Sequence, residues 1–355
     1  MSKIVGADSS RNSSRNSFLD EVKTAVTPRA FLLVLGVIAL QVLFIASYVG
    51  ALHAPKPSDV PFGVTAPPAV AERTVARLER LPGAPLDPRT VTDEANARKQ
   101  IMDREIDGAL VVNPAGQADT LLVASGGGTL LATTLQSLVT EVEAADGRQV
   151  RTVDVAPAAG QDFDGLSPFY LVVGWCVGGY LCASILAISA GARPANPRRA
   201  AIRLIVMALV AIVGGLGGAV VVGPVLDALP GSVTALWALG ALVTFAVGAA
   251  TLALQGVFGI VGIGLAILLV VIAGNPSAGG AFPPPMLPPF WEAIGPALPP
   301  GAGVWAARSI AYFDDNALTG ALLVLSAWAL AGIVITMAAG LRHGRREPEP
   351  PVRTP

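Results

Sequence analysis

The chain has 355 residues, 53% of them hydrophobic and only 14% charged. Soluble domains carry roughly 25% charged residues, so an ordinary water-soluble protein is excluded and a membrane protein is indicated. The 24 Lys and Arg are balanced by 25 Asp and Glu, and a net charge of −1 offers no bulk attraction to nucleic acid. Two histidines and two cysteines are too few for a metal cluster or a disulfide framework. Cys176 and Cys182 lie six residues apart in one apolar run, where a helix points them in different directions, and they read as packing groups.

In chain order, residues 1–29 form a basic arm. Its first 16 residues are rich in Ser, Arg and Asn and are expected to be disordered. Phe18, Leu19, Val22 and Val26 then recur at helical spacing, with Asp20 and Glu21 early, where the helix dipole favours acids. This predicts a short amphipathic helix lying along the membrane face. A bilayer crossing needs about 20 apolar residues in helical form. Five uncharged runs reach that length, at 30–52, 169–190, 204–223, 233–254 and 318–341, and a shorter sixth lies at 257–273. The first run begins too late and is too long for a cleaved signal peptide, so it reads as a retained span.

Basic residues in short loops set orientation. The N-terminal arm, the 191–203 loop with Arg193, Arg198, Arg199 and Arg203, and the tail at 342–355 are all basic. The alternate loops are nearly bare, with Arg308 the one basic residue between 274 and 317. Six spans put all the basic segments on one side, with both termini cytoplasmic in the plasma membrane. The stretch 53–167 alternates in pattern: strands near 60–66, 89–91, 108–112, 120–124 and 150–155, helices near 68–81, 92–106 and 129–145. The fold expected is an α-helical polytopic membrane protein with six transmembrane helices and an inserted extracytoplasmic α/β domain. Its parts are the arm at 1–29, a span at 30–52, the domain at 53–167, a five-helix region at 168–341 and the tail at 342–355.

Several chemistries lack their residues. No G-x-x-x-x-G-K-[ST] run is present to cradle a nucleotide phosphate. The spans hold no Asp, Glu, Lys, Arg or His to carry a coupling ion or intramembrane proteolysis. Gln41, Thr244, Thr251, Ser326 and Thr336 are the polar groups there, and Gln41 reads as an interhelical hydrogen-bonding group or as part of a path. The glycine run 125–129 reads as a loop. Gly174/Gly178 and Gly214/Gly218 have G-x-x-x-G spacing, read as packing within the chain or as a dimer face. Asp162/Asp164 and Asp314/Asp315 read as solvated turns or as a divalent-cation site. No nucleophile–base pair is evident, so an enzyme is not expected.

Residues 275–317 are too long for a structureless loop. Prolines at 283–285, 288–289, 296 and 299–300 cut this apolar stretch into pieces too short to span. Two short helices are expected, near 288–297 and 303–313, dipping into or lying on the outer leaflet, with Trp291 and Trp305 at the interface. The segment reads as an outer gate formed by Phe290, Trp291 and Trp305, or as a loop folded onto the soluble domain.

Gly279-Gly280-Ala281-Phe282-Pro283, Leu287-Pro288-x-Phe290, Leu298-Pro299-Pro300-Gly301-Ala302 and Arg308 resemble the corresponding segment of type-2 ABC transporter permeases. They look most like the actinobacterial branch related to the phage-infection protein (YhgE/Pip). The runs 107–114 (DGALVVNP) and 165–170 (GLSPFY) are similar too. The resemblance implies a permease subunit of an exporter for an amphipathic, lipid-like or peptide substrate. It implies a homodimer or heterodimer in the lipid bilayer and a separate ATPase chain, for which the helix of Phe18, Leu19, Val22 and Val26 would form part of the docking surface. It implies no cofactor, metal or catalytic residue. The alternative expectation is a membrane-anchored envelope receptor or scaffold whose outer domain binds a cell-wall component or phage.

Overall fold

The computed structural model describes residues 27–344. The amphipathic helix expected at Phe18, Leu19, Val22 and Val26 lies outside these residues, as does the chain beyond 344. The chain divides into two units, Met1–Ala46 and Ser47–Pro355. The described part of the first unit is the start of helix α1 (Pro28–Leu52), which is apolar all round. Phe31, Leu32, Val37 and Ile45 are all exposed, and so is Gln41. A helix of this kind suits lipid rather than water.

The α/β domain opens the second unit. Five strands, β1 (Val60–Thr65), β2 (Leu86–Thr90), β3 (Gly108–Val111), β4 (Ala118–Val123) and β5 (Gln149–Asp154), form one sheet in the order β2-β1-β3-β4-β5. All neighbours are parallel except β3 and β4, which form an antiparallel pair. Strand alternation sends side chains to two faces. Phe62, Leu110 and Leu121 meet Leu78 of α2 (Pro68–Leu78) and Leu131, Leu135 and Val139 of α4 (Thr129–Ala145). Ala109 and Leu122 meet Ala97 and Ile101 of α3 (Glu94–Met102) on the other face. Asp93 starts α3 by accepting the Asn96 amide at 2.7 Å, which satisfies one free helix-end donor. Buried Asp119 is held by Nε and Nη2 of Arg148 at 2.5 and 2.6 Å and by the Asn113 amide at 2.7 Å. Burial alone would raise this carboxyl, but these hydrogen bonds outweigh it and hold the pKa below its ordinary value.

Apolar helices follow: α5 (Ser167–Ala190), α6 (Pro197–Val220), α7 (Val233–Phe258), α8 (Val261–Ile267) and, near the end, α11 (Leu318–Gly344). Wide π-helical turns extend α6 through Val225 and carry α8 on through Gly274 to Ser277. Among the described residues five helices, α1 included, are long and apolar enough to cross a membrane, and Val261–Ser277 is a shorter apolar one. The sixth expected span begins late because α7 runs on to Phe258, and Gly259 at φ 65° makes the turn. Gln255 and Gly256, the two residues between the runs 233–254 and 257–273, are therefore buried residues of α7. The basic 191–203 loop is also shorter than expected. Asn196 caps α6 through the Arg199 amide, so Arg198, Arg199 and Arg203 are helical. Arg203 folds back onto the carbonyls of Ala190, Gly191 and Ala192, where positive charge suits the end of α5.

The bundle packs on α7, which touches α5, α6, α8 and α11. Contact runs through glycines one position beyond those of the G-x-x-x-G spacing. A Cβ on Gly179 would lie 2.6 Å from the Thr244 carbonyl oxygen, and one on Gly215 would strike the backbone of α7. Of the G-x-x-x-G glycines themselves, Gly174, Gly178 and Gly214 would meet open space, whereas a Cβ on Gly218 would strike Trp175 Nε1, so the spacing serves packing within the chain at Gly218 and is left open at the other three.

Candidate functional site

Between α8 and α11 the proline-cut segment folds into α9 (Pro289–Ile294), a short turn, and α10 (Pro299–Tyr312). The pair Pro299-Pro300 opens α10, where a helix has no use for the missing N–H groups; for that reason α10 begins four residues earlier than 303. It packs against α5, α7 and α11, and nearly every residue from Pro299 to Tyr312 is buried. Ahead of it, Met286 joins the core of the α/β domain, and Phe282 packs on that core. The segment is a wedge between domain and bundle.

Arg308 is the charged residue at the centre of α10 and is 2% exposed. Its Nη1 donates to the Gly279 carbonyl at 2.7 Å, and Nη2 donates to Gly280 at 2.8 Å and Gly165 at 3.3 Å. Its Nε is buried without a partner. One turn on, the Tyr312 hydroxyl donates to Asp162 at 2.5 Å, and the other Asp162 oxygen accepts the Ser167 amide at 2.7 Å. Burial lowers the guanidinium pKa to about 10, with Asp162 and Tyr312 pulling against it, so it stays charged at neutral pH. These bonds tie together the exit of the α/β domain, the start of α5 and the Gly279-Gly280 turn. Asp162 is thus occupied, Asp164 is an exposed turn residue, and Asp314 and Asp315 are exposed with φ of 50° and 63°.

The domain docks on the same helix. Arg104 follows α3 at φ 59°, a left-handed conformation that costs a non-glycine residue about 1–2 kcal/mol. Its Nη1 donates to the Trp305 carbonyl at 2.8 Å and to Ser309 Oγ at 2.9 Å. The guanidinium lies 3.3 Å above the Trp305 ring and 4.8 Å from that of Phe313, so a cation–π contact offsets part of its desolvation. Burial lowers its pKa to about 9, and the nearby Arg308 charge adds to the effect. The glycine run is the other half of the dock. A Cβ on Gly126 would sit 2.5 Å from Tyr312 Cγ, and Gly128, at φ 152°, lies against Pro283.

A cavity of about 430 Å³ opens beside this junction, in the size range of small-molecule sites. Trp305, Ala302 and Arg308 of α10 line it, with Ser277, Arg104, and Gly320, Ala321 and Val324 of α11. Its surface is mostly apolar, and the two arginines are its charged groups. Asp107, whose charge acts on Arg104, shares with it a second hollow of about 20 Å³. Of the three expected gate residues, Trp305 is on the cavity wall. Its indole donates to the Ala317 carbonyl at 2.9 Å. Phe290 and Trp291 pack edge-to-face on α9 at 5.1 Å, outside the lining, with Phe290 exposed. Arg104 gave no signal in the sequence, being one of many charges in a polar domain. Arg308 did, as the single basic residue in an apolar stretch. No known protein family, curated protein or solved structure matches this chain, so the family resemblance rests on its motifs alone.

Proposed function

We propose that this chain is the permease subunit of an exporter that moves an amphipathic, lipid-like or peptide molecule across the plasma membrane, with its ATPase on a separate chain and a second protomer completing the path. In this reading Val261–Ser277 is a sixth, short crossing, about 25 Å at 1.5 Å per residue. Both termini are then cytoplasmic, and the α/β domain and α10 are outside. The observation that carries the reading is the cavity at the junction. It is apolar, it carries two guanidiniums, and it is bounded by a helix that joins a polar domain to the bundle. A domain that served only as a tethered receptor would have no need of Arg104, Gly126 and Met286 as docking contacts, which weighs against the receptor reading.

Two experiments test it. Solubilised native membranes should yield the chain together with an ATPase, and inverted vesicles holding both should move an amphiphile only when ATP is present. The chain purified alone, with no ATP-driven movement in its vesicles, would sink the proposal. Exposed Ala293 replaced by Cys should react with an impermeant reagent from outside. Ala307, being fully buried, is unsuitable for such labelling.

A further inference from the structure

We propose that the cavity beside α10 binds a single-chain amphiphile through an anionic head, seated at Arg308 and Arg104, with its apolar chain against Ala302, Ala321 and Val324. The inference rests on the permease reading only for its purpose; the site is argued from the cavity itself. Three observations converge on an anion. The Arg308 Nε–H is buried, belongs to a cavity-lining residue and has no acceptor. Arg104 uses Nη1 for both its hydrogen bonds, which leaves other N–H groups of its five donors unused. The two like charges are close enough to disfavour one another, and the acids that partly offset them, Asp107 and Asp162, do not line the cavity. Asp162 is held by Tyr312 and the Ser167 amide, and Asp107 lines the smaller hollow, which Arg104 also borders. A carboxylate or phosphate between the guanidiniums would supply the missing acceptors and relieve the repulsion. The rest of the wall argues for a chain behind that head. The lining is predominantly apolar, and the Ser277 hydroxyl is already committed to the Ala273 and Gly274 carbonyls. A free inorganic anion would leave that surface unfilled.

Trp305 reports on the site because it is part of the wall. The full chain in detergent, under mildly alkaline conditions, is titrated with dibromostearate, whose bromines quench indole fluorescence, and with its uncharged methyl ester. Quenching that disappears in Trp305→Phe is expected for the carboxylate. The ester should bind at least about tenfold more weakly, the effect of one lost charged hydrogen bond. A Cβ on Gly320 meets open space in the wall, so Gly320→Leu should fill the cavity at unchanged melting temperature and weaken binding about tenfold. Arg308 variants are avoided because they also release three carbonyls. Millimolar inorganic phosphate should not displace the probe. Equal quenching by the ester would overturn the anionic head. Displacement by phosphate would overturn the chain. Unchanged binding in Gly320→Leu would put the probe somewhere else. Binding without ATP-driven export would remove the permease reading and leave this site standing, whereas export with no binding would do the reverse.

Discussion

In the α/β domain, Phe62, Leu121 and Leu135 fill the space between sheet and helix, each fully buried. In the bundle the closest contacts are made by residues with no side chain: Gly179 and Gly215 set α5 and α6 against the backbone of α7. Water drives apolar side chains together in the first case. Lipid is as apolar as leucine and gives no such push, so helices associate there through close backbone packing. Charges differ in the same way. The domain pairs Asp119 with Arg148 and Arg77 with Glu143 and Asp146. Arg308, at the junction, is held by backbone carbonyls.

This contrast can be broken most severely in the bundle. Gly179→Leu should cost upwards of about 4 kcal/mol and yield no monodisperse protein by size exclusion. Gly178→Leu, one residue away and facing open space, should behave as wild type. Equal damage from both would mean that close packing is not what holds α5 to α7. In the domain, Arg148→Ala leaves buried Asp119 without its partner and should cost about 3 kcal/mol in chemical denaturation. That loss should shrink on acidification, because the depressed carboxyl stabilises the fold above its unfolded pKa and stops doing so once protonated.

Asp107 sharpens the comparison with the opposite sign. Burial raises its folded pKa to about 6, against the Arg104 charge that lowers it, while an unfolded Asp titrates near 3.9. The folded state binds this proton more tightly. Its contribution is therefore full below about pH 4 and lost as pH rises through 6. Asp107→Asn should raise stability by about 1–2 kcal/mol at neutral pH, discounted for partial exposure, and by nothing near pH 4. The smallest effect lies at Arg104. Both Arg104→Ala and Arg104→Gly lose the Trp305 contact, but glycine also relieves the left-handed backbone and should be about 1 kcal/mol the more stable of the two.

Local elements were the most legible. The strands near 60–66 and 120–124 and the helices near 92–106 and 129–145 are written in neighbouring residues, and each appears within a few positions of where the pattern puts it. Helix ends in the apolar region were less so. Arg198 and Arg199 look like loop residues until Asn196 is seen to cap, and Gln255 looks like a break until α7 is seen to continue. The junction was illegible for a physical reason. Arg104 meets Ser309 across 205 positions, and Tyr312 meets Asp162 across 150. No periodicity reaches that far, and glycines at 126–128 look the same whether they form a loose loop or leave room for a tyrosine ring.

That separation also has a clock attached. The ribosome adds roughly 5–20 residues per second, so Asp162 is synthesised about 8–30 s before its partner Tyr312, 150 residues later. For that interval Arg104, the glycine run and the edge of the core later covered by Met286 have no seat. Waiting that long requires a domain that can hold its shape on its own sheet and helices first. The late arrival of α10 then makes it the last part to lock, and a stalled or truncated chain would present a finished domain with an open, sticky underside.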